Sequence, residues 1–97
     1  MTIKLFLDGQ LIEFQNTKLT TSFGADRLGR EYGAPSLGFC LDGESDTAIP
    51  GTHLPERILV LSPRGKMSGG GRVDISRFGD NFRVIGKISK DINVEVF

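Results

Sequence analysis

Apolar and polar residues alternate in short runs along most of the chain, the period-two pattern of strands that bury one face. Ile3, Leu5 and Leu7 alternate with Lys4 and Phe6, Asp8-Gly9 supplies the positive φ angles of a tight hairpin turn, and Leu11 to Phe14 return. Lys18-Leu19-Thr20-Thr21-Ser22-Phe23 predicts a third, Thr-rich strand, with Gln15-Asn16 as its connection. From Gly24 to Gly33 the period changes. Ala25, Leu28 and Tyr32 recur near helical spacing, but glycines at 24, 29 and 33 each cost a helix interior about 1 kcal/mol, which predicts a turn or two of helix or an irregular excursion. Leu37-Gly38-Phe39-Cys40-Leu41 predicts a short strand whose Gly38 marks a bulge or a close backbone contact.

Asp42 to Asp46 is a turn sequence, and Pro50-Gly51, His53 and Pro55 extend it into an irregular link of about fifteen residues, long enough to count as a second contact loop. Arg57-Ile58-Leu59-Val60-Leu61 is the most apolar strand. After it, Ser62 to Gly71 predicts a long, basic, glycine-rich loop carrying Arg64 and Lys66. Val73 and Ile75 alternate with polar residues, Gly79-Asp80-Asn81 turns, and Phe82, Val84 and Ile88 form a strand with Gly86 near its middle. Lys90-Asp91 turns again into the alternating end Ile92 to Phe97. Roughly seven or eight short strands joined mainly by hairpins predict an all-β fold, a small antiparallel barrel or sandwich.

Composition narrows this reading. A chain of 97 residues holds one core, so residues 1–97 form a single β domain, and 38% apolar with 25% charged residues is a globular balance. Trp is absent, which leaves seven Phe and the aliphatic residues to fill that core. The lone Cys40 cannot close an intramolecular disulfide and reads as a small buried hydrophobe between Phe39 and Leu41. No apolar run approaches the roughly 20 residues of a membrane span, and Met1-Thr2-Ile3-Lys4 does not open a signal peptide; a cytoplasmic protein is expected, with incorporation into a larger particle left open.

The net charge of zero hides an asymmetry. Residues 1–56 carry four basic against eight acidic side chains, a balance of −4, whereas residues 57–90 carry eight basic against two acidic, a balance of +6. Kept on different faces, these charges make a dipole suited to an anionic partner or to head-to-tail contact between copies; interleaved strands would instead mix them.

Candidate chemistry is sparse. Asp42, Glu44 and Asp46 alternate like the start of a calcium loop, but Thr47 stands where the glycine belongs and His53 where the bidentate acid belongs. His53, the only histidine, could pair with Cys40 as base and nucleophile, but no motif surrounds either. The glycine-rich segment, with Arg64, Lys66 and Arg72, has the composition of an anion nest, but the Walker spacing is missing and no helix start follows. Arg77 and Arg83 extend the basic set. Phe78 and Phe82 are either core residues or the stacking aromatics that OB-like barrels offer to nucleic acid.

Two resemblances follow from these residues. Asp74-Ile75-Ser76-Arg77-Phe78-Gly79 resembles the D-x-S-x-x-G signature of the cyclic-di-GMP-binding PilZ barrels. That family also uses an R-x-x-x-R pair, where this chain has Arg27 and Arg30 one residue too close, and only eighteen residues follow Gly79, so no binding role is transferred. Ile3-Lys4-Leu5-Phe6-Leu7-Asp8-Gly9, with the strands after it, resembles the opening of bacteriophage tail and baseplate hub proteins and favours an assembly role without assigning any residue.

The expected function is therefore a non-catalytic binding or assembly module. It docks to a protein partner or to its own copies through the basic loop and through terminal strands left at sheet edges, with Arg64, Lys66, Arg72, Arg77 and Arg83 as contact residues. A nucleic-acid-binding barrel using the same loop is the alternative. No metal, cofactor, membrane or small-molecule substrate is expected.

Overall fold

The alternating runs become seven antiparallel strands in a computed structural model that describes residues 1–25 and 35–96: β1 Ile3–Leu7, β2 Gln10–Ala25, β3 Pro35–Glu44, β4 Gly51–His53, β5 Ile58–Ser62, β6 Gly65–Phe78 and β7 Asn81–Glu95. They lie in the order β5-β1-β2-β3-β7-β6, and β6 returns to pair with β5, which closes a six-stranded barrel. The short β4 adds to Val73–Ile75 of β6, beyond the end of β5. No helix among the described residues is long and apolar enough to cross a membrane.

Each strand sends alternate residues inward, and register aligns them into rows. Leu19, Leu41, Val84 and Ile75 stand opposite one another across β2, β3, β7 and β6, all buried. Ile3, Leu5, Phe14, Ile58 and Val60 close the other side of the same core. The expected first hairpin is present: Asp8 (φ 50°) and Gly9 (φ 85°) turn β1 into β2. Asp8 also ties the barrel seam, since its backbone N–H donates to the Arg57 carbonyl and its carboxylate accepts from the Arg57 N–H, each at 2.9 Å, just before β5 begins beside β1.

Several expected boundaries move. Lys18 to Phe23 is not a separate strand. It continues β2, because the partner strand advances two residues from Glu44 to Asp42 while β2 advances three from Gln15 to Lys18. Asn16, at φ 53°, sits in that bulge. The physical reason is parity: Phe14 and Leu19 are five apart, so in a regular strand they would face opposite sides, and one extra residue lets both face the core. The same holds at the other end, where the expected turn at Lys90-Asp91 is an irregularity inside the continuous β7. The link after Leu41 is shorter than expected, since β3 runs on to Glu44 and β4 interrupts the rest. Gly38 makes a close contact rather than a bulge: a Cβ there would lie 3.1 Å from Ser22 Oγ, and pairing through it is regular. Cys40 is half-buried rather than buried, because its neighbours Phe39 and Leu41 take the core and alternation divides the strand around them. The excursion expected at 24–33 falls, after Gly24 and Ala25 at the end of β2, outside the described residues.

The largest correction concerns the basic glycine-rich loop, which does not exist as a loop. Only Pro63 and Arg64 turn between β5 and β6, and Met67 to Gly70 are buried strand residues. The glycines are there because β7 bends closely over this part of β6. A Cβ on Gly71 would collide with the Lys87 carbonyl and one on Gly69 with Ile88, and the register shifts on both sides of Gly70. The terminal strands are not edges either: β1 lies between β2 and β5, and β7 lies between β3 and β6.

Candidate functional site

Alternation along β6 and β7 decides what their connecting hairpin shows to solvent. Ser76 pairs with Arg83, Arg77 with Phe82, and Phe78 with Asn81, before Gly79 (φ 63°) turns the chain. Phe82 points inward and is buried, while Phe78 remains 61% exposed at the end of the strand. The two aromatics thus divide, one to the core and one to the surface. Each has an arginine against its face, with the Arg77 guanidinium 5.7 Å from the Phe82 ring centre and that of Arg83 5.9 Å from the Phe78 ring centre.

Both arginines are anchored. Arg77 donates from Nε to the Gly79 carbonyl at 3.0 Å, and Arg83 donates from Nε to Asp42 Oδ1 at 2.8 Å across the β3–β7 ladder. That hydrogen bond, more than the charge of Asp42, raises the Arg83 pKa above its ordinary value and keeps it cationic. Beside Phe78 and Arg83 opens a cleft of about 400 Å³ lined also by Lys18, Asp42, Asn16 and Asn81.

Asn16 joins this cleft to a second of about 340 Å³, lined by Glu13, Glu44 and Asp46. The bulge in β2 turns Asn16 so that its amide donates to the Glu44 carboxylate. Ser45 Oγ accepts from the N–H groups of Thr47 and Ala48, both at 3.1 Å, and Thr47 Oγ1 accepts from the Glu13 N–H at 3.2 Å. The acidic turn is therefore pinned against β2. Among the described residues no cation pairs with Glu13, Glu44 or Asp46, and no group of His, Cys, Asp and Glu is arranged to hold a metal ion.

The five expected contact residues do not form one patch. Arg77 and Arg83 come together at the hairpin. Lys66 stands near the opposite end of β6, roughly 36 Å away at about 3.3 Å per residue. Arg64 is exposed in the turn before it, with its N–H donating to Ser62 Oγ at 3.1 Å. Arg72, in the middle of β6, holds Asp74 at 3.1 Å, and Lys66 holds Glu95 at 3.1 Å. Lys66 thus meets its carboxylate across the β6–β7 ladder and Arg72 two residues along its own strand, and the later cations are interleaved with carboxylates. Lys18, Asn16 and Asp42 were missed because they lie far from the hairpin in sequence and reach it only through the β2–β3–β7 register.

Cys40 and His53 are kept apart by the topology. They lie on β3 and β4 with β7 and β6 between, about 14 Å across three strand spacings, and His53 Nε2 is occupied with the Ile49 carbonyl at 3.1 Å. No family model, curated protein or solved structure matches the chain.

Proposed function

We propose that this protein is a non-catalytic binding and assembly module that docks a protein partner at the end of the β6–β7 hairpin. The observation that carries this reading is Phe78, a large apolar ring held in water on a rigid strand end, with Arg83 against its face and a cleft beside it. Aromatic and arginine side chains are the groups whose burial contributes most at protein interfaces, and both here are already ordered, so docking costs little side-chain entropy. Incorporation as a structural component of a larger particle is one form such docking takes.

The alternative is a nucleic-acid-binding barrel. It is less favoured because Lys66, Arg72 and Arg83 already hold carboxylates that a phosphate backbone would have to displace. The test is capture of partners from source extract on immobilised protein, compared with Phe78→Ala and Arg77→Glu variants. A specific protein bound by the original chain and weakened about thirtyfold by Phe78→Ala supports the reading. Retention of single-stranded DNA or RNA on filters, falling steeply with salt, would replace it with the alternative.

A further inference from the structure

On one side β2 outruns its neighbour. Its first part, Gln10 to Phe14, pairs with β1, and the Met1 carbonyl accepts from the Thr17 N–H at 3.3 Å and from the Thr17 hydroxyl at 2.9 Å. From Lys18 to Ala25 the strand pairs with β3 alone among the described residues, so alternate residues turn their N–H and C=O groups to an open side. Such an edge is normally guarded by charge, proline, a bulge or brevity. The short β4 spans only Gly51–His53. Beyond Ile88, where β3 no longer runs beside it, β7 carries Lys90, Asp91 and Glu95 and has Asp91 at φ 52°. The open segment of β2 has no proline and no register shift past Lys18, and Lys18 is its one charge.

We infer that this edge pairs, antiparallel, with the same edge of a second copy about a two-fold axis at Thr21. Leu19-Thr20-Thr21-Ser22-Phe23 has the same chemistry read in either direction: apolar, three hydroxyls, apolar. Antiparallel pairing about Thr21 sets Thr21 opposite Thr21, Thr20 opposite Ser22, Leu19 opposite Phe23 and Lys18 opposite Gly24. Hydroxyls then meet hydroxyls, apolar groups meet apolar groups, and no like charges face each other. The chain start fixes the same centre, because Met1 occupies the edge at Thr17, which in this register would face Ala25, and the ladder fits between Lys18 and Gly24. Parity agrees as well. Leu19, Thr21 and Phe23 stand on the core-facing side of β2, opposite Leu41, Phe39 and Leu37, so the inner faces of the two copies join as one surface. Phe23, 66% exposed at the end of that face, gains Leu19 of the other copy as a neighbour. A two-fold contact of this kind occupies both edges and closes at two copies.

Sedimentation equilibrium of the full chain over a range of concentrations tests it. The expected result is a reversible dimer, double the 10.6 kDa chain mass, with no larger species. Thr21→Lys and Thr21→Glu, at an exposed position and each checked for an unchanged melting curve, are expected to weaken dimerisation about tenfold when studied alone, because like charges then meet across the axis. Mixed in equal amounts they are expected to restore a dimer, with the introduced ammonium of one variant opposite the introduced carboxylate of the other. Hydrogen exchange needs no variant: amides between Lys18 and Gly24 are expected to exchange more slowly as protein concentration rises, while those of Gly51–His53 do not change. The edge runs away from the β6–β7 hairpin, so Phe78→Ala is expected to leave the dimer intact. A chain that stays monomeric, a mass that keeps rising past the dimer, a mixture that fails to recover, exchange independent of concentration, or a dimer lost with Phe78→Ala overturns the inference. A monomer that captures another protein and releases it on Thr21→Lys gives the edge a different occupant and overturns it too.

Discussion

Gly86 shows how one missing side chain can hold a core together. It faces inward on β7 opposite Phe39, and a Cβ there would fall within the Phe39 ring, so the absence of a side chain on one strand makes room for an aromatic on the next. Gly86→Ala is expected to cost about 1–3 kcal/mol, lowering the Tm by roughly 4–8 °C for each kcal/mol. In a Phe39→Leu background the same change should cost clearly less, and equal costs in a double-mutant cycle would refute the packing account. Asp74 gives a residue-scale pH effect. The Thr52 hydroxyl donates to its carboxylate at 2.6 Å and Arg72 holds it from the other side, and these contacts, led by the Thr52 bond, lower its pKa below the usual 3.8. A lowered folded value means that Asp74 stabilises the fold above the ordinary carboxylate value and ceases to do so as pH falls through the lowered one. Melting curves of the original chain and Asp74→Asn should therefore differ by a steady amount near neutral pH and converge only as pH falls below the usual 3.8 and through the lowered value.

At the scale of elements, the bulge in β2 reconciles a sequence whose inward positions change parity with a single continuous strand. Deleting Asn16 leaves Phe14 and Leu19 four apart, both still facing inward, and is expected to give a cooperatively folding protein that has lost about 1 kcal/mol with the Asn16–Glu44 bond. Deleting Glu13 instead sets Phe14 next to Ile12 and turns its ring to solvent, so no cooperative transition is expected. Thermal melts followed by circular dichroism separate the two outcomes. The β6 strand shows the opposite problem: Met67 and Val73 mark its inward face, but Ser68 to Gly71 lack the side chains that carry a strand signal, and their place in the ladder depends on how closely β7 passes.

For the whole molecule, closure comes from pairings between residues far apart in the chain, such as Leu5 with Val60 and Leu41 with Val84. A fold dominated by such contacts should form in milliseconds to seconds rather than microseconds, as a single step that stopped-flow circular dichroism can follow. A microsecond relaxation carrying the full amplitude would contradict a closed barrel. Closure also disposes of the charge asymmetry: strands from the acidic early part and the basic later part become neighbours, and Arg83 finds Asp42 across one ladder. What survives of the asymmetry is local, where the cleft of Glu13, Glu44 and Asp46 adjoins, through Asn16, the cleft beside Phe78, Lys18 and Arg83.

The sequence by itself determined the all-β class, the Asp8-Gly9 hairpin, most inward positions and the turn at Gly79, because alternation and turn chemistry act between residues a few positions apart. Arg77 and Arg83 were legible as candidates only through their charge, and the turn at Gly79 between them sets both on one hairpin. Only the tertiary structure decided that the glycine run is a buried strand, that Phe82 is core while Phe78 is surface, and that Lys18, Asp42 and the acidic turn stand beside the arginines. Those facts depend on register between distant strands and on how closely backbones approach when the sheet closes, and a linear pattern of side chains carries neither.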